Sequence, residues 1–280
     1  MPELPEVHTT VQGLNILINE RITSINCYSS KLRYKIPRNI SKLINFTIIT
    51  KTYRIGKYII IDFQNHYSLI FHLGMSGRLR LFNKVKYNRK KHDHCILKTK
   101  KHFLVYNDAR KFGFIDTALT KKIYFKKYIN ILGIDALDKN LNSKYLISKI
   151  KKSVVPIKQI LLNQKIISGI GNIYASEILF DAKISPLAKG YQIRETDSKK
   201  LIKSIRKILL KAIKFGGTTL KDYISTDGTL GNFQKNFKVY NRAGKKIKNH
   251  EIIRIIQYGR STFYCPKSQI IKNRTKNNRL

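Results

Sequence analysis

The sequence is poor in cysteine, in acidic residues and in long apolar runs. Its three cysteines, Cys27, Cys95 and Cys265, are far apart and form no Cys-x-x-Cys pair. They therefore argue against a disulfide framework and a complete thiolate zinc site, and they favour a reducing compartment. No stretch of about 18 uncharged apolar residues occurs, so we expect no membrane-spanning helix. The first residues are acidic and proline-rich, unlike a secretion signal, so we expect a cytosolic protein.

The shortage of acidic residues leaves a large positive charge. Only 16 Asp and Glu stand against 56 Lys and Arg, which gives a formal net charge of +40. Such self-repulsion indicates a polyanionic partner, and nucleic acid is the commonest one. A genome biased toward Lys, Asn and Ile explains much of the same excess equally well. The charge alone also fits a ribosomal or RNA-binding protein, so it does not identify the partner.

The hydrophobic pattern predicts an N-terminal helix followed by a β-rich region. Over residues 3–19, Val7, Val11, Leu14 and Ile18 fall on one helical face. From about residue 21 to 118, short β-rich runs recur at intervals of roughly 10 residues, which predicts an antiparallel sandwich or barrel. Examples of these runs are Phe46–Tyr53, Tyr58–Phe63, Tyr67–Leu73, Arg78–Phe82, His94–Lys98 and Phe103–Asn107.

The second half of the chain is predicted to be helical and to end in a hairpin. A short helix opens at Pro156, a second runs from Ile173 to about Ala182, and a longer one spans Ser198–Phe215. Alternating apolar residues return in the last 45 or so residues and predict a small hairpin module. Its predicted strands are Phe237–Tyr240, Ile252–Gln257 and Thr262–Cys265.

The first six residues carry an unusual chemical possibility. Removal of the initiator Met is expected before a residue as small as Pro2, and it leaves a free secondary amine. An N-terminal amine has a pKa far below that of a lysine side chain, so part of it is unprotonated and able to attack a sugar C1′. Glu3 could donate or relay a proton. From spacing alone, however, stiffening of the helix start by Pro2 and Pro5 is the better explanation.

A family resemblance reverses that preference. Met1-Pro-Glu-Leu-Pro-Glu-Val7 resembles the N-terminal signature of bacterial formamidopyrimidine-DNA glycosylase, and further segments match the family in the same order across almost the whole chain. They are Gly56-Lys57-Tyr58, His72-Leu-Gly-Met-Ser-Gly77, Lys91-His-Asp-His94, Asp108-Ala-Arg-Lys-Phe-Gly113, Gly169-Ile-Gly-Asn-Ile-Tyr-Ala-Ser-Glu177, Gly216-Gly-Thr-Thr-Leu-Lys-Asp222 and Gly259-Arg-Ser-Thr-Phe-Tyr-Cys265. The resemblance implies a DNA-repair glycosylase with lyase activity that excises 8-oxoguanine and formamidopyrimidines from double-stranded DNA.

The resemblance also implies catalytic roles. Pro2 would form a Schiff base with C1′ of the damaged nucleotide, and Glu3 would protonate the sugar ring oxygen. Lys57 would assist base loss and β-elimination, although by composition alone it is an ordinary solvated lysine. Arg260 stands where the family places its phosphate-binding and δ-elimination arginine.

Other matching positions imply DNA contacts. Met75 would fill the gap left when the lesion is flipped out, and Arg110 and Phe112 would face the orphaned cytosine. Base flipping is required because the glycosidic bond of a stacked base is out of reach. Lys111 stands where the family has arginine, so a bidentate phosphate contact is lost there. The remaining residues implied to contact DNA are His72, His92, Lys152, Lys158 and Asn172.

Two glycine-containing segments each leave alternatives open. Gly169-Ile-Gly-Asn172 suggests a dinucleotide fingerprint, but Tyr174 replaces its third glycine, and no convincing βαβ unit surrounds it. The better interpretation is a helix-two-turn-helix in which Asn172 caps a helix and binds phosphate. The second segment is Gly216-Gly-Thr-Thr-Leu-Lys-Asp222. The resemblance implies that Thr218 and Thr219 of this segment, together with Glu6, contact the lesion. A flexible surface loop is equally consistent with the local sequence there.

The chain departs from the family at its C-terminal hairpin, where four zinc-binding cysteines are usual. The corresponding positions are Ile247, His250, Cys265 and Ser268. Since a structural zinc site needs four ligands, we expect no zinc and no other cofactor. Apolar packing would then hold the hairpin, which becomes less stable or orders mainly on DNA.

Together these features predict an α+β protein. We expect an N-terminal β-sandwich with flanking helices (1–130), a linker (131–150), a helix-two-turn-helix domain (151–235), and a zincless hairpin with a basic tail (236–280). The expected partner of this monomer is duplex DNA. Two alternatives remain: an endonuclease VIII-type glycosylase, disfavoured by Leu4, and a non-catalytic DNA- or RNA-binding protein.

Overall fold

The computed structural model describes residues 2–83, 86–218 and 231–271. The chain divides into two compact units, one of residues 1–131 with 212–235 and one of residues 132–211 with 236–280. This division differs from the domains expected from sequence, which placed 212–235 with the second-half helices. The difference arises because Thr218 is hydrogen-bonded to Glu6 near the chain start. Likewise, residues 131–150 are not a plain linker, because they contain a short strand and a helix.

The first unit contains three helices and eight strands in its described part. The helices are α1 (Leu4–Leu14), α2 (Ile40–Ile44) and α3 (Lys127–Asn130). The strands are β1 (Ile22–Cys27), β2 (Ile49–Ile55), β3 (Tyr58–Phe63), β4 (Tyr67–His72), β5 (Arg78–Asn83), β6 (Asp93–Thr99), β7 (His102–Asn107) and β8 (Phe114–Leu119). They form two four-stranded antiparallel sheets, ordered β1-β6-β7-β5 and β2-β3-β4-β8.

One apolar cluster joins the two sheets and α1, which confirms the predicted sandwich. It contains Val7 and Val11 of α1 together with Ile59 of β3 and Leu104 of β7. Ile60 lies on the other face of β3 and packs in a separate cluster. Successive side chains of a strand point to opposite faces. Burial on both faces therefore explains why β3 contains three consecutive isoleucines, Ile59–Ile61, rather than an alternating pattern.

The N-terminal prediction differs from the structure in detail. Helix α1 ends at Leu14 and continues as a short 3-10 turn over Asn15–Leu17, so Ile18 is only half-buried. Asn19 has a φ of 71°, and a left-handed residue ends a helix. The strands β1 and β8 are not among the runs named from the sequence, because their mixed polar and apolar residues carry weak alternation.

The second unit contains helices and two hairpins. Its elements are β9 (Ile134–Asp135), α4 (Ser143–Ile150), α5 (Ile157–Leu162), β10 (Ile167–Ser168), α6 (Asn172–Asp181), α7 (Glu195–Lys214, which ends within the first unit's residues), β11 (Lys246–Ile247), β12 (His250–Glu251), β13 (Ile253–Gln257) and β14 (Arg260–Tyr264). Strand β9 pairs in parallel with β10, while β11–β12 and β13–β14 are antiparallel hairpins. Within the described ranges, no helix is both long and apolar enough to cross a membrane.

The predicted strand Phe237–Tyr240 is wrong, and a buried carboxylate explains why. Glu177 of α6 accepts hydrogen bonds from the backbone nitrogens of Lys238 (2.9 Å), Val239 (3.0 Å) and Tyr240 (2.8 Å). Burial raises the pKa of Glu177, while these three hydrogen bonds act in the opposite direction. The backbone therefore curls around the carboxylate instead of pairing in a sheet.

Candidate active site and nucleic-acid interface

The N-terminal residues implied to be catalytic lie at the start of α1. Pro2 is buried, and Glu3 is 2% exposed. Glu3 and Glu6 form a capping box in which Glu6 Oε2 accepts from the Glu3 backbone nitrogen at 2.9 Å. This arrangement satisfies a free donor at the helix start and fixes the backbone that carries Pro2.

The second oxygen of Glu6 holds the turn that follows α7. Glu6 Oε1 accepts from the backbone nitrogen of Thr218 at 2.8 Å and from its hydroxyl at 2.9 Å. Gly217 has a φ of +76°, and a Cβ there would lie 2.9 Å from Glu6 Oε1, so the turn requires glycine. The structure thus brings together Glu6 and Thr218, two residues implied to contact the lesion, while Thr219 lies outside the described residues.

Lys57 lies at the tight turn between β2 and β3, where Ile55 pairs with Tyr58. Gly56 adopts a φ of 56°, as the first position of such a turn demands. Lys57 is only 7% exposed, so it is not the solvated lysine that composition alone would suggest. Helix α1 packs against β2 and β3, the hairpin that presents this side chain.

His72, at the end of β4, lies in an aromatic cluster. Its ring stacks on Phe114 with centroids 5.5 Å apart and tilts against Tyr58 at 5.0 Å. Burial, with the positive charges of Lys57 and Arg33, lowers the pKa of His72 to about 4. The ring is therefore neutral near pH 7, and its Nδ1 accepts from the Gly74 backbone nitrogen at 3.2 Å.

Asp108 joins the two loops that carry Met75, Arg110 and Phe112. Its Oδ1 accepts from the Ser76 hydroxyl at 2.6 Å and from the Arg110 backbone nitrogen at 3.3 Å, and its Oδ2 accepts from the Gly113 backbone nitrogen at 2.8 Å. Asp108 has no exposed surface. It was not identified as a site residue from sequence, because only the fold reveals which donors surround a buried carboxylate.

The side chains presented by these loops are exposed. Met75 is 38% exposed and Phe112 is 46% exposed. The Arg110 guanidinium lies 4.6 Å from the Phe112 ring centroid, and Lys111 is exposed with a φ of 54°. Large apolar groups on a rigid loop beside a cation are suited to contact bases and phosphates.

Tight packing fixes these loops further. A Cβ on Gly74 would lie 2.4 Å from the Phe112 carbonyl carbon, so the loops approach each other at backbone distance. The carbonyl of His92 accepts from the Asp108 backbone nitrogen at 3.1 Å, and the half-buried His92 has a φ of 68°. The structure therefore gathers His92, Met75, Arg110 and Phe112 on one framework.

In the second unit, two predicted phosphate ligands have other partners. Lys158 is fully buried, and its Nζ donates to the Ser261 carbonyl at 3.0 Å and the Thr262 hydroxyl at 2.7 Å. Asn172 does not cap α6, whose N-cap is Gly171; its Nδ2 donates to the same Ser261 carbonyl at 3.0 Å. Both side chains therefore tie the α5–α6 region to the β13–β14 hairpin.

Two other predicted contacts of this unit are at the surface. Lys152 is exposed beyond the end of α4, and Arg260 is exposed at the start of β14. The turn before Arg260 is formed by Tyr258 and Gly259, with φ values of 50° and 72°, as in a two-residue hairpin turn.

Gln164 is a residue of the second unit that was not identified as functional from the sequence. It braces the Gly169–Asn172 turn by accepting from the Gly169 nitrogen at 2.8 Å and donating to the Ile170 carbonyl at 2.8 Å.

The residues at the four hairpin positions do not fit zinc. Ile247 has no ligand atom, and it pairs with His250 across β11–β12. Cys265 is buried, with Sγ 3.4 Å from the Ser268 hydroxyl. Among the residues that the structure describes, no group of three or more His, Cys, Asp or Glu is placed to hold a metal ion. An apolar cluster that includes Val239, Ile252 and Phe263 packs the region instead.

Comparison with known proteins agrees with this geometry. The formamidopyrimidine-DNA glycosylase N-terminal domain matches residues 1–115, and the H2TH domain of the same enzymes matches residues 132–224. The chain is 43% identical over 273 residues to the formamidopyrimidine-DNA glycosylase of Zymomonas mobilis, covering 96% of this chain and 100% of the relative. The Rickettsia africae enzyme is also 43% identical, with 96% and 99% covered.

Solved structures give the same result. A Lactococcus lactis Fpg mutant bound to DNA containing Fapy-dG superposes with a TM-score of 0.88 at 33% identity, covering 96% of this chain and 99% of that one. The Lactococcus lactis enzyme bound to DNA containing an abasic site gives the same values. The chain therefore belongs to the formamidopyrimidine-DNA glycosylase family.

Proposed function

We propose that the protein is a base-excision-repair enzyme that removes oxidised purines from duplex DNA and then cleaves the strand at the abasic site. The observation that carries this proposal is the buried N-terminal segment, in which Pro2 precedes a capping box formed by Glu3 and Glu6. A nucleophilic amine must be held in a fixed position to attack one carbon of a substrate. The segment provides that position once the initiator Met is removed.

The first chemical step uses the secondary amine of Pro2. Its lone pair attacks C1′ of the damaged nucleotide, the glycosidic bond breaks, and the base leaves with a proton. Glu3 protonates the ring oxygen, which opens the sugar and leaves an iminium ion on Pro2. Lys57, buried at its hairpin turn, assists base loss and the following β-elimination. Loss of the second phosphate by δ-elimination uses Arg260, and hydrolysis of the iminium then releases Pro2.

Access to C1′ requires that the damaged nucleotide leave the base stack. We assign Met75 to the vacated space, and Arg110 with Phe112 to the unpaired base opposite. The exposure of all three side chains and the rigid hold of Asp108 on their loops support this assignment. Insertion of an apolar group offsets an unstacking cost of a few kcal/mol. His72, His92 and Lys111 line the same framework as DNA contacts.

We assign recognition of the flipped base to the turn after α7. Glu6 binds both the backbone and the hydroxyl of Thr218, so the start of α1 and this turn form one hydrogen-bonded structure. A base held there would lie next to the segment that carries Pro2. Thr219 is proposed as a further contact. We propose formamidopyrimidines as substrates, because the relatives are formamidopyrimidine-DNA glycosylases and a similar structure binds DNA containing Fapy-dG. We propose 8-oxoguanine as a further substrate on the family resemblance of the motifs.

In the second unit we assign phosphate contacts to the exposed Lys152 and Arg260. We keep Asn172 as a phosphate ligand through the remaining hydrogen of its amide, whereas Lys158 supports the hairpin. We propose that the hairpin needs no zinc, because Ile247 and Ser268 replace two of the four ligands. We further propose that the enzyme acts as a cytosolic monomer that needs no cofactor.

A substitution of the nucleophile tests the proposal. Pro2→Glu removes the secondary amine, and it also retains the initiator Met because glutamate is large. With a duplex carrying 8-oxoguanine opposite cytosine, we expect wild-type protein to release the base and cut the strand, and Pro2→Glu to bind without cutting. Pro5→Ala, at the same helix start, is the matched control and should keep activity. Undiminished cutting by Pro2→Glu would overturn the assignment, and binding without excision by wild type would indicate a binding-only protein.

Salt dependence tests the phosphate contacts separately. The logarithm of the binding constant should fall with log salt at roughly −0.9 per phosphate neutralised on duplex DNA. Substitution of Lys152 or Arg260 by glutamine should reduce that slope by about one unit each. A dependence that is flat in the wild type would contradict the basic interface.

A further inference from the structure

Two cysteines that are far apart in sequence are neighbours in the first unit. Cys27, the last residue of β1, pairs directly with Cys95 of β6. Their sulfur atoms are 3.0 Å apart and hydrogen-bonded. The next residues along the ladder, Tyr28 and His94, are joined by a backbone hydrogen bond of 2.9 Å. The cysteines therefore occupy a non-hydrogen-bonded position of the ladder.

That position is compatible with a covalent bond. Opposed α-carbons at such a pair are about 4.5 Å apart, which lies at the short end of the range found for disulfides, roughly 4.4 to 6.8 Å. Closure therefore needs only a small approach of the two sulfurs and no change of register. Disulfides near the limits of this range carry strain and are more readily reduced.

One of the two cysteines is partly exposed to solvent. Cys27 is partly exposed and Cys95 is buried. Cys27 lines a cavity of about 870 Å³ whose wall also includes Lys31, Lys35 and Arg38. A small neutral oxidant can enter such a space.

The hydrogen bond between the cysteines gives them different acidities. It lowers the pKa of Cys27, against the effect of burial, and it raises the pKa of Cys95 together with burial. Reactive cysteines combine a lowered pKa with solvent access and a neighbouring thiol that resolves the first oxidation product. Cys27 has all three properties, and Cys95 supplies the resolving thiol.

We propose that Cys27 and Cys95 form a peroxide-oxidised dithiol that closes a reversible disulfide across β1 and β6. In the first step, the Cys27 thiolate attacks one oxygen of hydrogen peroxide, giving a sulfenic acid and, after protonation, one water. The Cys95 thiol then attacks the Cys27 sulfur, the S–O bond breaks, and a second water leaves. Two thiols are thereby oxidised by two electrons while one peroxide becomes two waters.

Cys265 provides an internal comparison. It is buried, and its sulfur lies 3.4 Å from the Ser268 hydroxyl rather than beside another thiol. It therefore lacks both the access of Cys27 and a resolving partner. A low concentration of peroxide should therefore oxidise Cys27 and Cys95 and leave Cys265 as a free thiol.

The test is peroxide titration of the full-length protein followed by alkylation and peptide mass spectrometry. With peroxide near stoichiometric amounts, we expect a mass loss of about 2 Da from formation of one disulfide. The Cys27 and Cys95 peptides should be joined, and dithiothreitol should restore both thiols. Cys265→Ser should behave as wild type, whereas Cys27→Ser and Cys95→Ala should form no cross-link.

A second measurement follows the consequence for stability. A bridge across 68 residues restricts the unfolded chain and should raise the Tm of the oxidised protein by several degrees. The proposal fails if Cys27 is overoxidised while Cys95 remains a free thiol. It also fails if all three cysteines react at the rate they show in the urea-unfolded chain.

Discussion

A comparison of the two units shows that the same device, a buried carboxylate, serves different purposes. In the first unit, Asp108 gathers donors from two loops, and those loops present the exposed residues Met75 and Phe112. In the second, Glu177 gathers three consecutive backbone nitrogens, and the segment it holds leads into the hairpins. One carboxylate therefore orders loops whose exposed side chains we propose to contact DNA. The other supports a region in which Ile247 and Ser268 stand at two of the four positions that carry zinc-binding cysteines in the family.

The largest effect is expected from breaking the Asp108 framework. Asp108→Ala leaves several buried donors without an acceptor, at about 1–3 kcal/mol for each. Because the loops that present Met75 and Phe112 lose this support, we expect lesion-DNA affinity to fall by roughly 100-fold, which corresponds to about 2.8 kcal/mol of binding free energy. Fluorescence anisotropy with labelled duplex measures it. Asp116→Ala, in the same unit, is the control, because Asp116 binds Lys126 and Tyr128 instead and should leave affinity nearly unchanged.

Removal of Glu177 should lower stability more than affinity. Glu177→Ala unpairs the backbone nitrogens of residues 238–240, which should cost about 2–3 kcal/mol of unfolding free energy. Urea denaturation measures this loss. Glu195→Ala removes an exposed carboxylate of the same unit that is paired with Lys199, and surface pairs contribute little. Equal effects of the two substitutions would contradict the support assigned to Glu177.

A smaller effect, a loss of stability at acidic pH, is expected from His72 in the first unit. The pKa of His72 is lowered from 6.5 to about 4 in the folded protein, so the unfolded chain binds more protons between those values. Stability linked to His72 is then complete above pH 6.5 and is lost as the pH falls toward 4. We expect the wild type to lose about 2 kcal/mol more than His72→Phe across this window. Denaturant titrations at pH 7 and pH 4 test the difference, and parallel losses would contradict it.

The smallest effect is expected from metal removal. Because Ile247 and Ser268 stand at two ligand positions, overnight treatment with a chelator should change neither the Tm nor lesion-DNA affinity. Differential scanning fluorimetry and anisotropy before and after dialysis measure both. A fall in Tm that zinc alone restores would show that the hairpin holds metal through other residues.

Much of this fold could be predicted from local sequence. The predicted strand Tyr58–Phe63 is confirmed without change, because its apolar run and flanking turn signals are local. The helix predicted from Ser198 was also found, beginning at Glu195. The β1 strand was missed because its polar residues weaken the alternation on which strand prediction depends.

What could not be predicted depends on contacts between distant residues. The motifs identified Pro2, Lys57 and Arg110 only through a family resemblance. No local pattern indicates that the Asp108 carboxylate would accept from four donors, or that Lys158 would be buried against Thr262. The contact between Cys27 and Cys95 could not be predicted for the same reason, because 68 residues separate the two cysteines.

Trapping of the covalent intermediate shows directly whether Pro2 is the nucleophile, as we propose. The protein is incubated with a duplex that carries 8-oxoguanine opposite cytosine, borohydride is added, and the cross-linked peptide is located by mass spectrometry. We expect a reduced adduct on the nitrogen of Pro2 in a chain that has lost its initiator Met. An adduct on a lysine such as Lys57, or no adduct despite tight binding, would contradict it.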